Sequence, residues 1–288
     1  GQIMKTGIVF EGGAFRTIFS CGVMDALVEN DIMPDYMIGV SAGAAYGVSM
    51  ASKQPRRNLD VLMKYRNDKR YLGLSNMIDK DNKSIYGLEF SYETIPNELN
   101  LFDYDAFKQY KGDFYCVVTN LLTGQPEYMK YTGDDRTNTV LKATCALPML
   151  FPPIIINDVP YMDGGLSDSI PYLKAIEDGC DRIIVVLTRQ SGYTKTTSRS
   201  TKAIAYSYRN QYPKLTETML TRASRYNESL KGLDQYVKEG RIITIQPTTS
   251  KGFSRLEKDK NKILSMYNDG YNQCYELLDT IKEFYGIK

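Results

Sequence analysis

The sequence predicts an α/β protein with a mostly parallel central sheet. Two observations carry this. Within the first 50 residues an apolar strand, a glycine-containing loop and a helix follow one another twice. Later, Arg182 to Thr188 (R-I-I-V-V-L-T) is an uninterrupted apolar run of the kind buried on both faces of a parallel sheet. Strand–helix alternation is the signature of such sheets, and their sites lie at the carboxyl ends of the strands.

Residues 6 to 10 read as the first strand, and Glu11-Gly12-Gly13 as the loop after it. From Ala14 to Glu29 the residues Phe15, Ile18, Phe19, Gly22, Val23, Ala26 and Leu27 recur at helical spacing. Adjacent glycines let backbone N–H groups turn outward around an anion, although a tight turn needs the same residues. G-x-G-x-x-G and the lysine–serine ending of a P-loop are both absent, which argues against a nucleotide. Tyr36 to Val40 form the second strand, which runs into Gly39-Val40-Ser41-Ala42-Gly43. This is G-x-S-x-G at a strand-to-helix junction, and the small residues after it let a helix start close to the sheet. A serine there projects its hydroxyl from the sheet's end with a helix N-terminus behind it, as a nucleophile requires. The motif alone is weak, and an ordinary turn serine satisfies it as well.

Residues 54 to 70 are charged and helical in character. Residues 71 to 102 show no clear period and read either as a lid over a substrate site or as a long connection packed on the body. Phe114 to Thr119 is a strand, and Glu127 to Tyr131 follows as the second strand of a hairpin. Arg136 to Ala146 is helical, and Ile154 to Ile156 is a short strand. A turn at Asn157-Asp158 leads to Tyr161-Met162-Asp163-Gly164-Gly165. Pro171 to Asp178 is a helix. Residues 189 to 202 are basic and Ser/Thr-rich, expected as a mobile loop. Residues 203 to 239 are helical, Ile242 to Gln246 is a last strand, and Leu256 to Phe284 reads as one long amphipathic helix. No repeat or linker divides the chain, so one domain over 1–288 is expected.

Composition sharpens the chemistry. The net charge of +2 over 288 residues gives no reason to expect nucleic acid. Cysteines at 21, 116, 145, 180 and 274 form no C-x-x-C, as for reduced thiols in the cytoplasm. No transmembrane-length apolar run or signal-peptide pattern is seen. There is no histidine. That excludes a Ser–His–Asp triad, a Cys–His dyad and a His-ligated metal within this chain. If Ser41 is a nucleophile, its base is Asp, Glu, Lys, Tyr or Cys. Asp163, at a strand end before two glycines, is the candidate; a simple Asp-Gly turn is the competing reading.

Three motifs in this order resemble the patatin-like phospholipases, the bacterial members especially. They are Glu11-Gly12-Gly13-Ala14-Phe15-Arg16, Gly39-Val40-Ser41-Ala42-Gly43 and Asp163-Gly164-Gly165. A fourth block, Ala143-Thr-Cys-Ala-Leu-Pro148 with Phe151-Pro152-Pro153, resembles the family's segment ahead of its catalytic Asp. The likeness covers about residues 6 to 190; the helical region 200–288 adds no motif and is expected to pack on it. It implies a three-layer α/β/α, patatin-like (FabD/lysophospholipase-like) fold with a mostly parallel central sheet. It also implies a Ser–Asp dyad with no histidine, no metal and no cofactor. Ser41 would be the nucleophile and Asp163 the base, the N–H groups of Gly12, Gly13 and Ala14 would hold the oxyanion, and Arg16 would assist by its charge. Gly39, Gly43, Gly164 and Gly165 would shape the turns. Two positions depart from the family's G-G-G-x-[K/R]-G loop: Ala14 stands for the third glycine and Thr17 for the last. At negative φ Ala14 keeps a usable N–H. An aspartate near its usual pKa is a poor base for an alcohol, so a partly dry site that raises Asp163 is expected. The implied activity is lipid acyl hydrolysis, of phospholipase A or lysophospholipase type, on a lipid or other acyl-ester substrate, with transient membrane-surface contact. A thioesterase, a general carboxylesterase or an acyltransferase would use the same dyad, and a non-enzymatic binding protein would need only the fold.

Overall fold

A computed structural model describes residues 3–72 and 86–288. In chain order, β1 (Thr6–Phe10) leads through a loop and a short 3-10 turn (Ala14–Thr17) into α1 (Ile18–Glu29). β2 (Tyr36–Val40) runs into α2 (Ala42–Ala51), followed by α3 (Arg57–Tyr65). The one-turn α4 (Tyr86–Glu89) continues as a π-helical stretch, Phe90–Leu99, and then comes α5 (Tyr104–Gln109). β3 (Asp113–Asn120) and β4 (Pro126–Lys130) form a hairpin, followed by α6 (Thr139–Cys145), β5 (Ile154–Ile156), β6 (Val159–Asp163) and α7 (Tyr172–Glu177). β7 (Arg182–Val186), α8 (Arg199–Ser207), α9 (Pro213–Lys238), β8 (Ile242–Ile245), α10 (Lys260–Glu276) and α11 (Leu278–Tyr285) complete the chain.

The sheet is mixed but mostly parallel. β8, β7, β1, β2 and β3 are parallel neighbours in that order, and β4 and β6 run antiparallel to β3. Side chains alternate between its faces, so each central strand is apolar throughout. Ile8, Phe10, Met37, Phe114, Ile184 and Val186 pack under α1, α2 and α10. Val9, Ile38, Val117, Ile183 and Val185 pack on the other face against α7 and α9. This is the three-layer α/β/α arrangement.

One detail of the sheet positions the site. β2 pairs along β3 until Val40 lies opposite Val117. β4 also pairs with residues 115 to 119 of β3, so it occupies the other edge. β6 pairs with Val118 to Asn120, two of which β4 also holds, so β6 shares the β2 edge, with Asp163 opposite Val118. The carboxyl ends of β2 and β6 therefore meet head-on along one strand, and Ser41 and Asp163 lie at the junction.

Several expectations change in detail. The first helix opens with a 3-10 turn because Gly13 and Ala14 are not helical. The long C-terminal helix is two, α10 and α11, parted at Leu277. In the segment from 71 to 102, residues 73–85 lie outside the described residues, so the lid reading falls partly there; Phe90, Ile95 and Phe102 are buried in the body. The loop expected over 189 to 202 gives way to α8 at Arg199, where the Ser198 hydroxyl accepts the Thr201 N–H at 3.2 Å. Its middle is tied to α9: Asn227 accepts the Lys195 N–H at 2.8 Å and donates to the Lys195 carbonyl at 2.9 Å. No helix of the described residues is long and apolar enough to cross a membrane.

Candidate active site

Ser41 sits between β2 and α2 with φ 55° and ψ −124°. A non-glycine residue pays roughly 1–3 kcal/mol to stand there, and persists only where its surroundings fix it. Here they do. Its N–H donates to Thr144 Oγ1 at 2.9 Å, and Thr144 donates to the Val117 carbonyl at 2.5 Å. Its own carbonyl accepts from the N–H groups of Ala44 and Ala45, both at 3.0 Å. The start of α2 presses on the end of β1: a Cβ at Gly43 would stand 2.4 Å from the Phe10 carbonyl oxygen. Glycine is therefore required at that elbow position. Gly39 is required likewise, because a Cβ there would stand 2.6 Å from Ala44 Cα.

Asp163 ends β6 and is 3 % exposed. Its N–H donates to the Ala146 carbonyl at 2.9 Å, and its carbonyl accepts from Thr119 Oγ1 at 2.7 Å. Oδ1 accepts the Gly165 N–H at 2.7 Å. Gly164 passes so close to β3 that a Cβ would stand 2.1 Å from the Val117 carbonyl oxygen. The Ser41 side chain faces the Asp163 carboxylate closely enough to favour its ionised form. Burial raises the Asp163 pKa above its ordinary value; Arg222, Ser41, the Gly165 N–H and Arg255 oppose the shift without cancelling it. The Cys145 thiol also lies in hydrogen-bond contact with Ser41, but burial pushes it up to about 12, so it stays neutral.

The loop after β1 closes the third side. A Cβ on Gly12 would stand 2.7 Å from the Val40 carbonyl oxygen and 3.1 Å from Ser41 Cβ, which places this loop against the serine. Glu11, buried beneath, accepts the Thr188 N–H at 2.8 Å and lies beside Tyr226. Thr188 Oγ1 stands 2.9 Å from both Glu11 Oε1 and the Gly12 carbonyl oxygen. The N–H groups of Gly12, Gly13 and Ala14 donate to no atom among the described residues. Ala14 does not meet the condition of a negative φ: its φ is +49°. The chain turns left-handed where the family loop places its third glycine.

These groups line one cleft of about 420 Å³ with Arg16, Arg189, Lys195, Arg222 and Arg255. Arg16 thus faces the site. A separate apolar cavity of about 50 Å³ lies behind the elbow, bounded by Ala14, Ala42, Tyr71, Tyr92 and Leu141. No cluster of acidic or thiol side chains able to hold a metal ion occurs among the described residues. Sequence reasoning overlooked Thr144, Glu11 as an anchor, Thr188 and the cations from 189 onward. Thr144 and Glu11 had a signal, because they lie in the Ala143-to-Pro148 block and the Glu11-to-Arg16 motif.

Comparison with known proteins bears on this site. A family model described as Patatin-like phospholipase matches residues 8–176, and one described as Domain of unknown function (DUF6363) matches residues 212–286. The chain is 27 % identical over 196 residues to the uncharacterized protein YjjU of Escherichia coli (strain K12), covering 64 % of this chain and 52 % of YjjU. It is 29 % identical over 193 residues to the lysophospholipase nte1 of Aspergillus terreus, covering 63 % of this chain and 12 % of nte1. It thus spans about half the length of YjjU and about an eighth of nte1. Among solved structures, VipD from Legionella pneumophila aligns with a TM-score of 0.47 at 15 % identity, covering 96 % of this chain and 67 % of VipD. The match over residues 8–176 takes in the strand-end loop, the serine elbow and Asp163-Gly164-Gly165, and the chain belongs to the patatin-like phospholipase family.

Proposed function

We propose that this chain is a lipid acyl hydrolase of the phospholipase A or lysophospholipase type, working through a Ser41–Asp163 dyad and an acyl-enzyme. The observation that carries the proposal is the buried Asp163 carboxylate facing a serine held on a strained elbow, at the point where β2 and β6 meet along β3. Ser41 Oγ attacks the ester carbonyl and its proton passes to Asp163. The N–H groups of Gly12 and Gly13, with Ala14 beside them, hold the oxyanion; losing one such donor costs about 3 kcal/mol of barrier. Asp163 returns the proton to the leaving alcohol. Water then attacks the acyl-enzyme, gives a proton to Asp163, and Ser41 recovers its own. Burial makes Asp163 a stronger base than a solvated aspartate, which the mechanism needs in a chain without histidine. The apolar cavity behind Ala42 is the proposed end of the acyl-chain path, since its walls offer mainly hydrocarbon and aromatic surface.

Ser41→Ala and Asp163→Asn should each lower kcat/KM for 4-nitrophenyl butyrate by about 10³-fold or more without altering the circular dichroism spectrum. Wild-type rates in either variant would remove the dyad. Hydrolysis of lysophospholipid well above that of a neutral ester of equal chain length supports the lipid reading; the reverse order favours a general carboxylesterase.

A further inference from the structure

The cleft beside Ser41 is unusually cationic. Arg16 comes from the 3-10 turn, Arg189 and Lys195 from the segment after β7, Arg222 from α9, and Arg255 from the loop before α10. Among the described residues none of the five makes an ion pair or donates a side-chain hydrogen bond. The Nε atoms of Arg16 and Arg222 are buried and without a partner. Only two carboxylates among the described residues line the same cleft, Glu11 and Asp163, so even with both ionised at least three of the five positive charges have no counter-charge there. Gathering unpaired cations in a half-buried space is unfavourable unless an anion arrives to share them. Burial and then the neighbouring arginines pull Arg16 down to about 10, and burial and then Arg222 pull Lys195 down to about 8.

The groups are also held in place. Asn227 pins the Lys195 backbone from both sides, and Phe15 N–H donates to the Arg255 carbonyl at 3.0 Å. Arg222 reaches the dyad: its Nη2 would be 3.1 Å from a Cβ at Gly165. The cleft is correspondingly hostile to a cationic head group. A quaternary ammonium needs an aromatic face or a free carboxylate. The Tyr193 ring is already covered by Arg189 at 4.4 Å, and the Tyr226 ring by Lys195 at 5.2 Å.

We propose that Lys195, Arg222 and Arg255, with Arg16, form a subsite for a terminal phosphate monoester on the substrate's alcohol portion, so that this chain selects phosphate-ended lipid esters over choline-ended ones. The proposal rests on the acyl-hydrolase reading above. Guanidinium forks match phosphate oxygens in pairs, and a dianion satisfies several cations at once, whereas a phosphocholine diester brings one negative charge and a positive one.

Binding to full-length Ser41→Ala protein tests this without turnover. By titration calorimetry below micellar concentrations, 1-oleoyl-glycerol 3-phosphate should bind about tenfold or more tighter than 1-oleoyl-glycero-3-phosphocholine. Adding Lys195→Gln and Arg222→Gln together should abolish that preference. Equal affinity for the two lipids overturns the proposal even if the charge variants misfold, and so does a preference that survives in folded variants. Inorganic phosphate or glycerol 3-phosphate binding as tightly as the phosphate lipid would also overturn it, since the cleft would then be a free-phosphate site. Failure of the hydrolase reading shows separately, as absent 4-nitrophenyl butyrate turnover by the wild-type protein.

Discussion

At the scale of single residues, the site is made by two side chains and two strained backbones. Ser41 and Ala14 both stand at positive φ, and neither is glycine. For Ser41 the strain presents the proposed nucleophile. For Ala14 it serves no side-chain purpose, so replacing it should be informative. Ala14→Gly removes a left-handed cost of roughly 1–2 kcal/mol and adds about 0.4–1 kcal/mol of unfolded-chain freedom. A net gain of up to about 1.6 kcal/mol is expected from the urea midpoint, while Ala14→Val should lose about 2 kcal/mol. A clear loss in the glycine variant would mean that the alanine methyl is needed for packing. Asp163 has its own signature. Its pKa lies above the ordinary carboxylate value, and the base must be ionised, so kcat/KM for a neutral ester should rise with pH through a midpoint above about 4. A midpoint at or below 4 would show a solvated carboxylate. Ser41, Asp163 and the Gly12-Gly13 loop were legible in the sequence because each lies in a local motif whose turn geometry demands small neighbours. Thr144 as partner of Ser41, and Thr188 as partner of Glu11, join residues more than a hundred positions apart, and no local pattern announces such pairs. The left-handed conformation of Ala14 was not legible because a residue's type does not fix its φ.

Between elements, the contact that ties the C-terminal region to the patatin-like half is α1 against α10. The two helices approach at facing glycines. A Cβ on Gly22 would stand 2.1 Å from the Tyr267 carbonyl oxygen, and one on Gly270 would stand 1.9 Å from that of Phe19. Neither obstacle is a flexible side-chain end, so an added methyl must push the helices apart. Gly270→Ala should lower stability by about 1–3 kcal/mol despite alanine's better helix propensity, read from the urea midpoint. Increased stability would mean that the helices slide freely. The helical period predicted α1 and the run of α10, and Gly22 was visible within that period. That Gly22 faces Gly270 was not, because pairing of distant helices is decided by tertiary packing. The sheet was similarly half legible. β1, β2, β3 and β7 follow from their apolar runs. The head-on meeting of β2 and β6 along β3, which brings Ser41 and Asp163 together, depends on register that no single strand encodes.

For the whole molecule, the same α1–α10 seam carries a pH-dependent term. Asp25 is 4 % exposed and accepts from the Tyr267 hydroxyl at 2.5 Å and the Arg56 N–H at 2.9 Å. Burial outweighs those bonds and raises it to about 6. Its unfolded value is near 4, so the folded chain holds this proton more tightly. The resulting stabilisation is complete below about 4 and is lost as pH rises through about 6. Asp25→Asn should therefore be more stable than wild type at pH 8, on the order of 1–3 kcal/mol, with the gap closing by pH 4. A constant gap across that range would assign the effect to packing. The catalytic account applies to the same intact molecule, and covalent trapping of its nucleophile tests it most directly. Wild-type protein treated with an alkyl fluorophosphonate, digested and mapped by mass spectrometry, should carry one adduct, on Ser41. The adduct should be absent from Ser41→Ala and should form at least about 10²-fold more slowly in Asp163→Asn. Labelling at another residue, or labelling at an unchanged rate when Asp163 is replaced, would contradict the Ser41–Asp163 dyad.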